Sequence, residues 1–528
     1  MTSHLAGTWV MLRLVLRRDR VRLPLWLGAI LGIVYSSAAA VSSTYTTPEQ
    51  IAAYAAAVGT NPAAIAMGGP AVGLDRIGGI LVYETSLTAL VGAALMSVFL
   101  VVRHTRGDEE EGRTELLRST VLGRYAHSAA TLVVLVAANL VLGAGVAASL
   151  LSVDVPAEGA VIYGAAVTTF GTVFAAVATL AAQLMSHARA AVGLSLSVLG
   201  AAFVLRALGD TGNGVLSWFS PMGWSQQVLA FDENRWWPLA PSWVFALVLL
   251  VASVMLLDRR DLGAGVVAQR PGRADARRGL RGPVSLALRL QRGSVLGWSV
   301  GAFIGGATFG SMSDALADLV ESNPVFAEYF AAAGGGSLVD SFFATALLIM
   351  SLLGAAFAVA SVLRARGEEV SGRLEPMLAT GLSRDRWLLG SLCVTLLGTV
   401  VVIASAGLGL GLTHQAVSDE GGAVVSMLGY ALAYVPAALV LGGIAVLLLG
   451  AAPRATSLAW VAMAFCFVVG WLGGLLQPPQ WVFDASPFSH TPAAPAEAVT
   501  AAPLLALTGV AVACVVGGLV GFRRRDVG

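Results

Sequence analysis

The sequence predicts an all-α polytopic membrane protein with twelve transmembrane helices, arranged as two parallel repeats of six. Composition is the first observation, because 57% of the 528 residues are hydrophobic and only 12% are charged. A soluble domain usually carries about 25% charged residues, so this composition suits a chain that lies in lipid. The formal net charge of +1 gives no indication of a nucleic-acid partner.

Apolar runs long enough to cross a bilayer are the second observation. A membrane-spanning helix needs about 20 mostly apolar residues. Twelve runs meet this requirement, at 24–44, 80–102, 127–152, 159–185, 190–209, 239–257, 294–313, 340–363, 387–413, 423–450, 456–475 and 502–521.

A repeated charged motif is the third observation. Residues 106–124 read RGDEEEGRTELLRSTVLGR and residues 366–384 read RGEEVSGRLEPMLATGLSR, with nine of nineteen positions identical. Ser220-Pro221 before the sixth run likewise matches Ser486-Pro487 before the twelfth. Each half has an even number of spans, so both halves are expected to insert with the same polarity, as a parallel repeat.

Arginine placement predicts the orientation of these spans. All 32 basic residues are arginine, and positively charged loops tend to remain in the cytoplasm. With a cytoplasmic N-terminus, only Arg76, Arg206 and Arg235 fall on or near the outer side. We therefore expect a multi-pass protein of a bacterial plasma membrane with both termini in the cytoplasm.

The repeat also predicts the domain organisation. The first half covers residues 1–257 and begins with an amphipathic lead-in helix at 4–22, which suits the plane of the membrane interface. An Arg- and Gly-rich cytoplasmic linker is expected at 258–285, and the second half covers 286–528. The shorter lead-in SLALRLQRGSV opens that second half.

The charged motif is interpreted as a short helix that docks on a soluble partner. Helical spacing predicts that Glu109 faces Arg113 and that Glu369 faces Arg373. A loop that only sets topology would need arginine but no particular carboxylates, so we favour docking over topology alone. The candidate docking residues are Asp108, Glu109, Gly112, Arg113, Glu115, Glu368, Glu369, Gly372, Arg373 and Glu375.

Several chemistries find no support in the sequence. A Walker A loop needs a lysine on the nucleotide phosphates, and lysine does not occur in this chain. The three cysteines lie inside apolar runs and the six histidines show no ligand spacing, so neither a catalytic residue nor a metal site is predicted. The glycines of GLGLGLTH at 407–414 lie inside an apolar run, which favours close helix packing over nucleotide binding.

The layout resembles the permease subunit of type-2 ABC exporters, in particular the actinobacterial branch that fuses two six-span halves. That branch includes tetronasin and polyketide-antibiotic exporters and mycobacterial multidrug pumps. RGDEEEGRTELL and RGEEVSGRLEPMLAT resemble its coupling helices between spans two and three. FSPMGWSQQVLAF at 219–231 resembles its outer hairpin before the last span, whereas ASPFSHTPAAPAEAV in the second half lacks the GWSQQ equivalent.

The resemblance implies a mechanical transport subunit and no enzyme. Two copies of a separate ATPase subunit would bind ATP and Mg and dock at 106–124 and 366–384, so this chain would need no cofactor. The cargo would be an amphipathic drug, an antibiotic or a lipid-like molecule, as in multidrug efflux and antibiotic resistance. By the same analogy, the candidate substrate-path residues are Tyr83, Glu84, Phe203, Phe342, Phe343, Phe465 and Trp471.

Two other classes remain as alternatives. An ion-driven secondary transporter of the major-facilitator type also has twelve spans in two parallel halves. Its short loop between spans two and three does not fit GDEEEGR, and Glu84 is the acid that the spans offer for proton coupling. A membrane enzyme would need a serine, histidine or carboxylate constellation within the spans, and none is evident.

Overall fold

The computed structural model describes residues 4–59, 62–119, 121–261, 263–267, 279–280, 282–313, 338–418, 421–476 and 479–525. Every regular element within these ranges is helical. The chain divides into two compact units, Met1–Gly272 and Arg273–Gly528. This division lies within the 258–285 range that composition predicts as a linker. Five acidic residues of segments that the predicted orientation places on the outer side, Asp314, Asp318, Glu321, Asp419 and Glu420, lie outside the described residues.

The first unit is built around one central helix, α9, which packs against α5, α8, α10 and α12. Its large side chains Tyr163, Phe170 and Phe174 are buried, as expected for a helix that is apolar on every face. The helices are α1 (Thr8–Arg18), α2 (Arg22–Thr44), α3 (Pro48–Gly59), α4 (Pro62–Gly68), α5 (Ile77–Val102), α6 (Asp108–Glu110), α7 (Arg113–Arg118), α8 (Ala126–Leu151), α9 (Ala157–Leu184), α10 (Ala188–Asp210), α11 (Pro221–Gln226) and α12 (Leu239–Arg259).

In the described part of the second unit, two helix pairs make the most extensive contacts, α13 with α16 and α18 with α21. The helices are α13 (Pro283–Ser311), α14 (Leu338–Val370), α15 (Leu374–Leu378), α16 (Arg384–Ser418), α17 (Ala423–Ala433), α18 (Val435–Ala451), α19 (Leu458–Leu476), α20 (Gln480–Asp484) and α21 (Ala501–Arg524). Pro436 lies at the second position of α18, which explains the break from α17 because proline cannot donate the backbone hydrogen bond that a continuous helix needs.

Ten helical segments in the described ranges are long and apolar enough to cross a membrane. They confirm the prediction of a polytopic, all-α membrane protein. The predicted runs at 294–313 and 456–475 fall on α13 and α19, which are not among the ten. The number of twelve spans therefore stays a prediction.

The two units differ at their lead-in segments. In the first unit α1 ends at Arg18 and α2 begins at Arg22, and Pro24 in the first turn of α2 prevents the two helices from joining. In the second unit the lead-in segment SLALRLQRGSV is continuous with the following apolar run, because α13 runs without a break from Pro283 to Ser311. No proline interrupts that helix after its first position.

Close helix packing accounts for the glycines of GLGLGLTH. A Cβ atom on Gly409 would lie 2.2 Å from the carbonyl oxygen of Phe303, and one on Gly306 would lie 2.1 Å from that of Ala406. The backbones of α13 and α16 therefore approach too closely for any side chain at these positions. The packing interpretation of this segment is confirmed.

The predicted hairpin before the last helix of the first unit consists of a 3₁₀ turn, Leu216–Phe219, followed by α11. The Ser220 hydroxyl caps α11 by accepting hydrogen bonds from the backbone N–H groups of Met222 and Gly223. Gln226 donates to the Gly68 carbonyl and to the Ser86 hydroxyl, both at 2.9 Å. The hairpin is thus attached to the beginning of α5, at the opposite end of that helix from the charged motif.

Candidate docking site

The repeated motif follows a long apolar helix in both units. In the first unit α5 continues through a π-helical turn, Arg103–Gly107, into α6, and α7 follows after a two-residue break. In the second unit α14 reaches Val370 without a break, and α15 follows. Each motif is therefore a short extension of a long helix, followed by a second, separate helix.

A glycine in the left-handed conformation separates the two helical pieces of each motif. Gly112 has φ 71° and Gly372 has φ 68°, a conformation that costs an L-residue with a side chain about 1–2 kcal/mol. This reversal explains why the predicted pairs Glu109–Arg113 and Glu369–Arg373 are wrong. The residues of each pair lie on different helical pieces, and both glutamates bind other arginines.

Glu109 is bound by two arginines of the first unit. Arg106 donates to its carboxylate at 2.5 Å, and Arg260 donates at 2.9 Å to the same oxygen. The Arg260 guanidinium also donates to the Gln183 side chain at 2.6 Å. The charged side chains of this group are at most 9% exposed, so the two guanidinium groups share one carboxylate in a largely buried site.

Glu369 makes the corresponding arrangement in the second unit. Arg366 lies 2.9 Å from its carboxylate, and Arg525 donates to both carboxylate oxygens at 2.5 and 2.7 Å. Such bidentate pairs are among the stronger charge-assisted hydrogen bonds. Arg260 and Arg525 each come directly after the last helix of their unit, α12 and α21. We call the Glu109–Arg260 and Glu369–Arg525 pairs the latches.

The final arginine of each motif makes a second attachment to the same helix end. Arg124 donates at 2.7 Å to the carbonyl of Leu257, and Arg384 donates at 2.7 Å to that of Arg525. The last carbonyls of a helix have no partner within the helix, so these contacts satisfy them. Both ends of the nineteen-residue motif therefore bind the end of the last helix of their own unit.

Asp108 adds an attachment to the lead-in helix of the first unit. Its buried carboxylate receives two hydrogen bonds from Arg18 at 2.5 and 2.8 Å and one from Arg113 at 3.1 Å. The hydrogen bond to Asp108 raises the pKa of the Arg18 guanidinium above its ordinary value. Asp19, which follows α1, binds both Arg103 and the buried His104. The lead-in helix and the motif are thus joined by charged groups.

The candidate docking residues divide into an inner and an outer set. The inner set consists of Asp108, Glu109 and Glu369, whose carboxylates form ion pairs within their own unit. The outer set consists of residues with exposed or half-exposed positions, Gly112, Arg113, Glu115, Gly372, Arg373 and Glu375, with Glu368 half-buried. The sequence analysis did not identify Arg260 and Arg525 as partners of the motifs. Each is the first residue after the last helix of its unit, so comparison of the two repeats could have found them.

An exposed apolar surface accompanies the outer set. Leu116 on α7 is 73% exposed and Val121 is 79% exposed. In the second unit Val370, next to Glu369, is 69% exposed. Exposed apolar side chains beside charges are typical of protein contact surfaces. We call Glu115, Leu116 and Val121 the outer face of the first motif, and Val370 and Glu375 the outer face of the second motif.

The candidate substrate-path residues occupy different environments. Glu84 is exposed, Tyr83 and Phe203 are half-buried, and Phe203 lies against the guanidinium of Arg206 at 4.8 Å. In the second unit Phe342 and Phe465 are half-buried, while Phe343 is buried against His414 with ring centroids 4.7 Å apart. The Trp471 side chain lies outside what the structure describes. Phe343 is therefore a core residue of its unit.

No group of three or more His, Cys, Asp or Glu side chains in the described ranges is arranged to hold a metal ion. Cys393, Cys466 and Cys514 are all free thiols. The chemistry that these motifs offer is therefore that of ion pairs, hydrogen bonds and apolar contact. Such groups can bind and transmit movement.

Comparison with known proteins assigns the family. Residues 280–523 match the family described as "Multidrug efflux system permease Rv1217c, C-terminal domain". The chain is 40% identical to the multidrug efflux system permease protein Rv1217c of Mycobacterium tuberculosis (strain ATCC 25618 / H37Rv), and the match covers 99% of this chain and 96% of that protein. The resemblance to exporter permeases is thereby confirmed. The chain belongs to the family of multidrug efflux system permeases represented by Rv1217c.

Proposed function

We propose that this chain is the membrane permease of an ATP-driven ABC exporter, in which ATP is hydrolysed by a separate subunit. Two copies of that ATPase subunit would dock on the outer faces of the two motifs, one on each unit. The observation that carries the proposal is the pair of latches, Glu109–Arg260 and Glu369–Arg525. Each motif is attached to the end of the last helix of its own unit, α12 or α21. A movement of the ATPase subunit at the motif would therefore be transmitted to that membrane helix.

The composition supports placing the ATPase on another chain. A nucleotide-binding P-loop needs lysine, and all 32 basic residues of this sequence are arginine. The motifs, with their arginines, would lie on the cytoplasmic side of the plasma membrane according to the positive-inside rule. Both termini would lie on the same side, where ATP is available.

The cargo would be an amphipathic drug, an antibiotic or a lipid-like compound. The apolar composition of the chain and the multidrug efflux name of its relative support this choice. The competing function is ion-driven secondary transport, which would use Glu84 as a protonatable group. The two functions differ in their energy source, so one experiment separates them.

The experiment reconstitutes the chain in inside-out vesicles together with the separate ATPase subunit that the proposal requires. We expect uptake of a fluorescent drug only with both the ATPase and hydrolysable ATP, and none with a proton gradient alone. The purified permease by itself should hydrolyse no ATP above the background of empty vesicles. Uptake driven by a proton gradient without the ATPase, or intrinsic ATP turnover, would contradict the proposal.

A further inference from the structure

A carboxylate lies in a membrane-spanning helix at the end of the first unit that is remote from the motif. Glu84 is the eighth residue of α5 and lies about 10 Å along the helix from its start. It is exposed, although most of its helix is buried. Charged groups within a membrane span are costly and usually serve a function.

Among the residues that the structure describes, Glu84 forms a hydrogen bond with a neutral group and no ion pair. In the described ranges its hydrogen-bond donor is the Tyr54 hydroxyl. Arg206 on α10 is buried and already donates to the carbonyls of Ile65 and Met67, with Asp210 at 3.8 Å from its guanidinium. Arg206 is therefore paired with another acid and with the end of α4, and the two other arginines expected at this end, Arg76 and Arg235, pair with Asp75 and Glu233.

Tyrosine rings lie beside the carboxylate. Tyr45 and Tyr54 meet edge to face with ring centroids 5.0 Å apart, and Tyr54 and Tyr83 do so at 6.4 Å. The Tyr83 hydroxyl donates to the Ala64 carbonyl at 2.5 Å, which fixes its ring against the segment of α4. All three rings are half-buried, so each keeps part of its surface accessible.

Burial, together with the hydrogen bond to Glu84, raises the pKa of Tyr54 above its ordinary value. The hydroxyl therefore stays protonated and remains a donor at physiological pH. It holds the Glu84 carboxylate in place without adding a charge of its own. The local charge available to a ligand is that of the glutamate.

We propose that Glu84, with the rings of Tyr45, Tyr54 and Tyr83, binds lipophilic organic cations as cargo of the pump. A carboxylate gives the ionic attraction, and tyrosine faces attract a cation through their ring quadrupoles. A small divalent metal would need several oxygen ligands, and this site offers one carboxylate. The inference rests on the proposed export function and narrows its substrates to compounds that carry a positive charge.

Direct binding tests this site without the ATPase. Purified full-length permease in nanodiscs is titrated with tetraphenylphosphonium by equilibrium dialysis, with neutral triphenylphosphine oxide as the uncharged comparison. We expect Glu84→Gln to weaken tetraphenylphosphonium binding at least tenfold and to leave the neutral compound unaffected. Glu158→Gln, at an exposed glutamate in the first turn of α9, is the matched control and should bind as the parent protein does.

A second pair of variants separates binding from a structural role. Glu84→Asp keeps the charge and should retain most of the affinity, while Tyr54→Phe keeps the ring but removes the hydrogen bond and should weaken binding only a few-fold. The same affinity in Glu84→Gln and the parent protein, or no binding of tetraphenylphosphonium by the parent protein, would overturn the proposal. Because no nucleotide is present, this result is independent of whether ATP drives export.

Discussion

Glu369 accepts two parallel hydrogen bonds from Arg525, and this pair ties the beginning of one charged motif to the residue that follows the last helix of its unit. Glu109 and Arg260 form the same connection in the first unit. An attachment that is present in both halves of a duplicated chain, between residues far apart in sequence, points to a role that each half needs.

Breaking a latch should destabilise its unit. Arg525→Ala leaves Glu369 with Arg366 alone in a site where the Glu369 side chain is 2% exposed. Removing one partner of a buried pair costs about 3–5 kcal/mol, so we expect a clearly lower apparent melting temperature of the purified permease. ATP-driven uptake should fall in the same variant.

The matched control for this variant is Arg523→Ala. Arg523 lies two residues earlier, is 62% exposed and pairs with Asp385, and such surface pairs contribute little to stability. The exchanged double variant Glu369→Arg with Arg525→Glu should recover part of the lost stability. Equal melting temperatures for Arg525→Ala and Arg523→Ala would show that the Glu369–Arg525 pair does not stabilise the second unit.

The left-handed glycine of each motif should resist substitution. Gly372→Ala places a Cβ atom in open space but forces alanine to adopt φ 68°, at a cost of about 1–2 kcal/mol. We expect the segment after Gly372 to become accessible to limited proteolysis. Gly367→Ala, at an open position within α14, should give the parental digestion pattern, and an identical pattern in both variants would refute the argument.

Substitutions on the outer face of the first motif should weaken binding of the ATPase subunit without lowering the stability of the permease. Leu116→Asp changes a side chain that is 73% exposed, so the permease should fold normally and melt within about a degree of the parent protein. Copurification with the tagged ATPase should drop several-fold, because the apolar contact is lost. Phe219→Asp, 70% exposed on the turn before α11, should copurify normally, and normal copurification of Leu116→Asp would argue against docking there.

The contact between α13 and α16 should tolerate no side chain at its glycines. Gly409→Val would place a branched side chain where even a Cβ atom lies 2.2 Å from the Phe303 carbonyl, and we expect little folded protein. Gly301→Val, on the same pair of helices but with nothing within 4 Å, should express normally. Size-exclusion profiles of the two solubilised variants make the comparison.

Much of the fold follows from the sequence because the bilayer imposes simple rules. The apolar runs locate the long helices, although α13 begins eleven residues before its predicted run and α14 ends seven residues after its own. The glycines of 407–414 predict a close helix contact. The charged motif is also evident from its repetition. Its internal pairing is not, because helical spacing assumes that Glu109 and Arg113 share one helix, whereas Gly112 divides them.

The partners of the motif could not be derived from local spacing. Arg260 lies 151 residues from Glu109, and Arg525 lies 156 residues from Glu369. Only tertiary folding brings these side chains together, although their equivalent positions after the last apolar run offered a signal. The ion pair of Asp108 could not be predicted for the same reason, because its partner Arg18 is 90 residues away in the sequence.

The interruption between α1 and α2 gives the first unit a break in its lead-in segment that the second unit does not have at α13. A 29-residue helix is about 43 Å long and moves as a single lever, so a push at Pro283 is transmitted to Ser311. In the first unit the corresponding segment consists of two separate helices, and the ion pairs of Arg18 and Asp19 hold their junction against the motif and the end of α5. If two identical ATPase subunits dock as proposed, they would act on halves whose lead-in segments are built differently, one interrupted and one continuous.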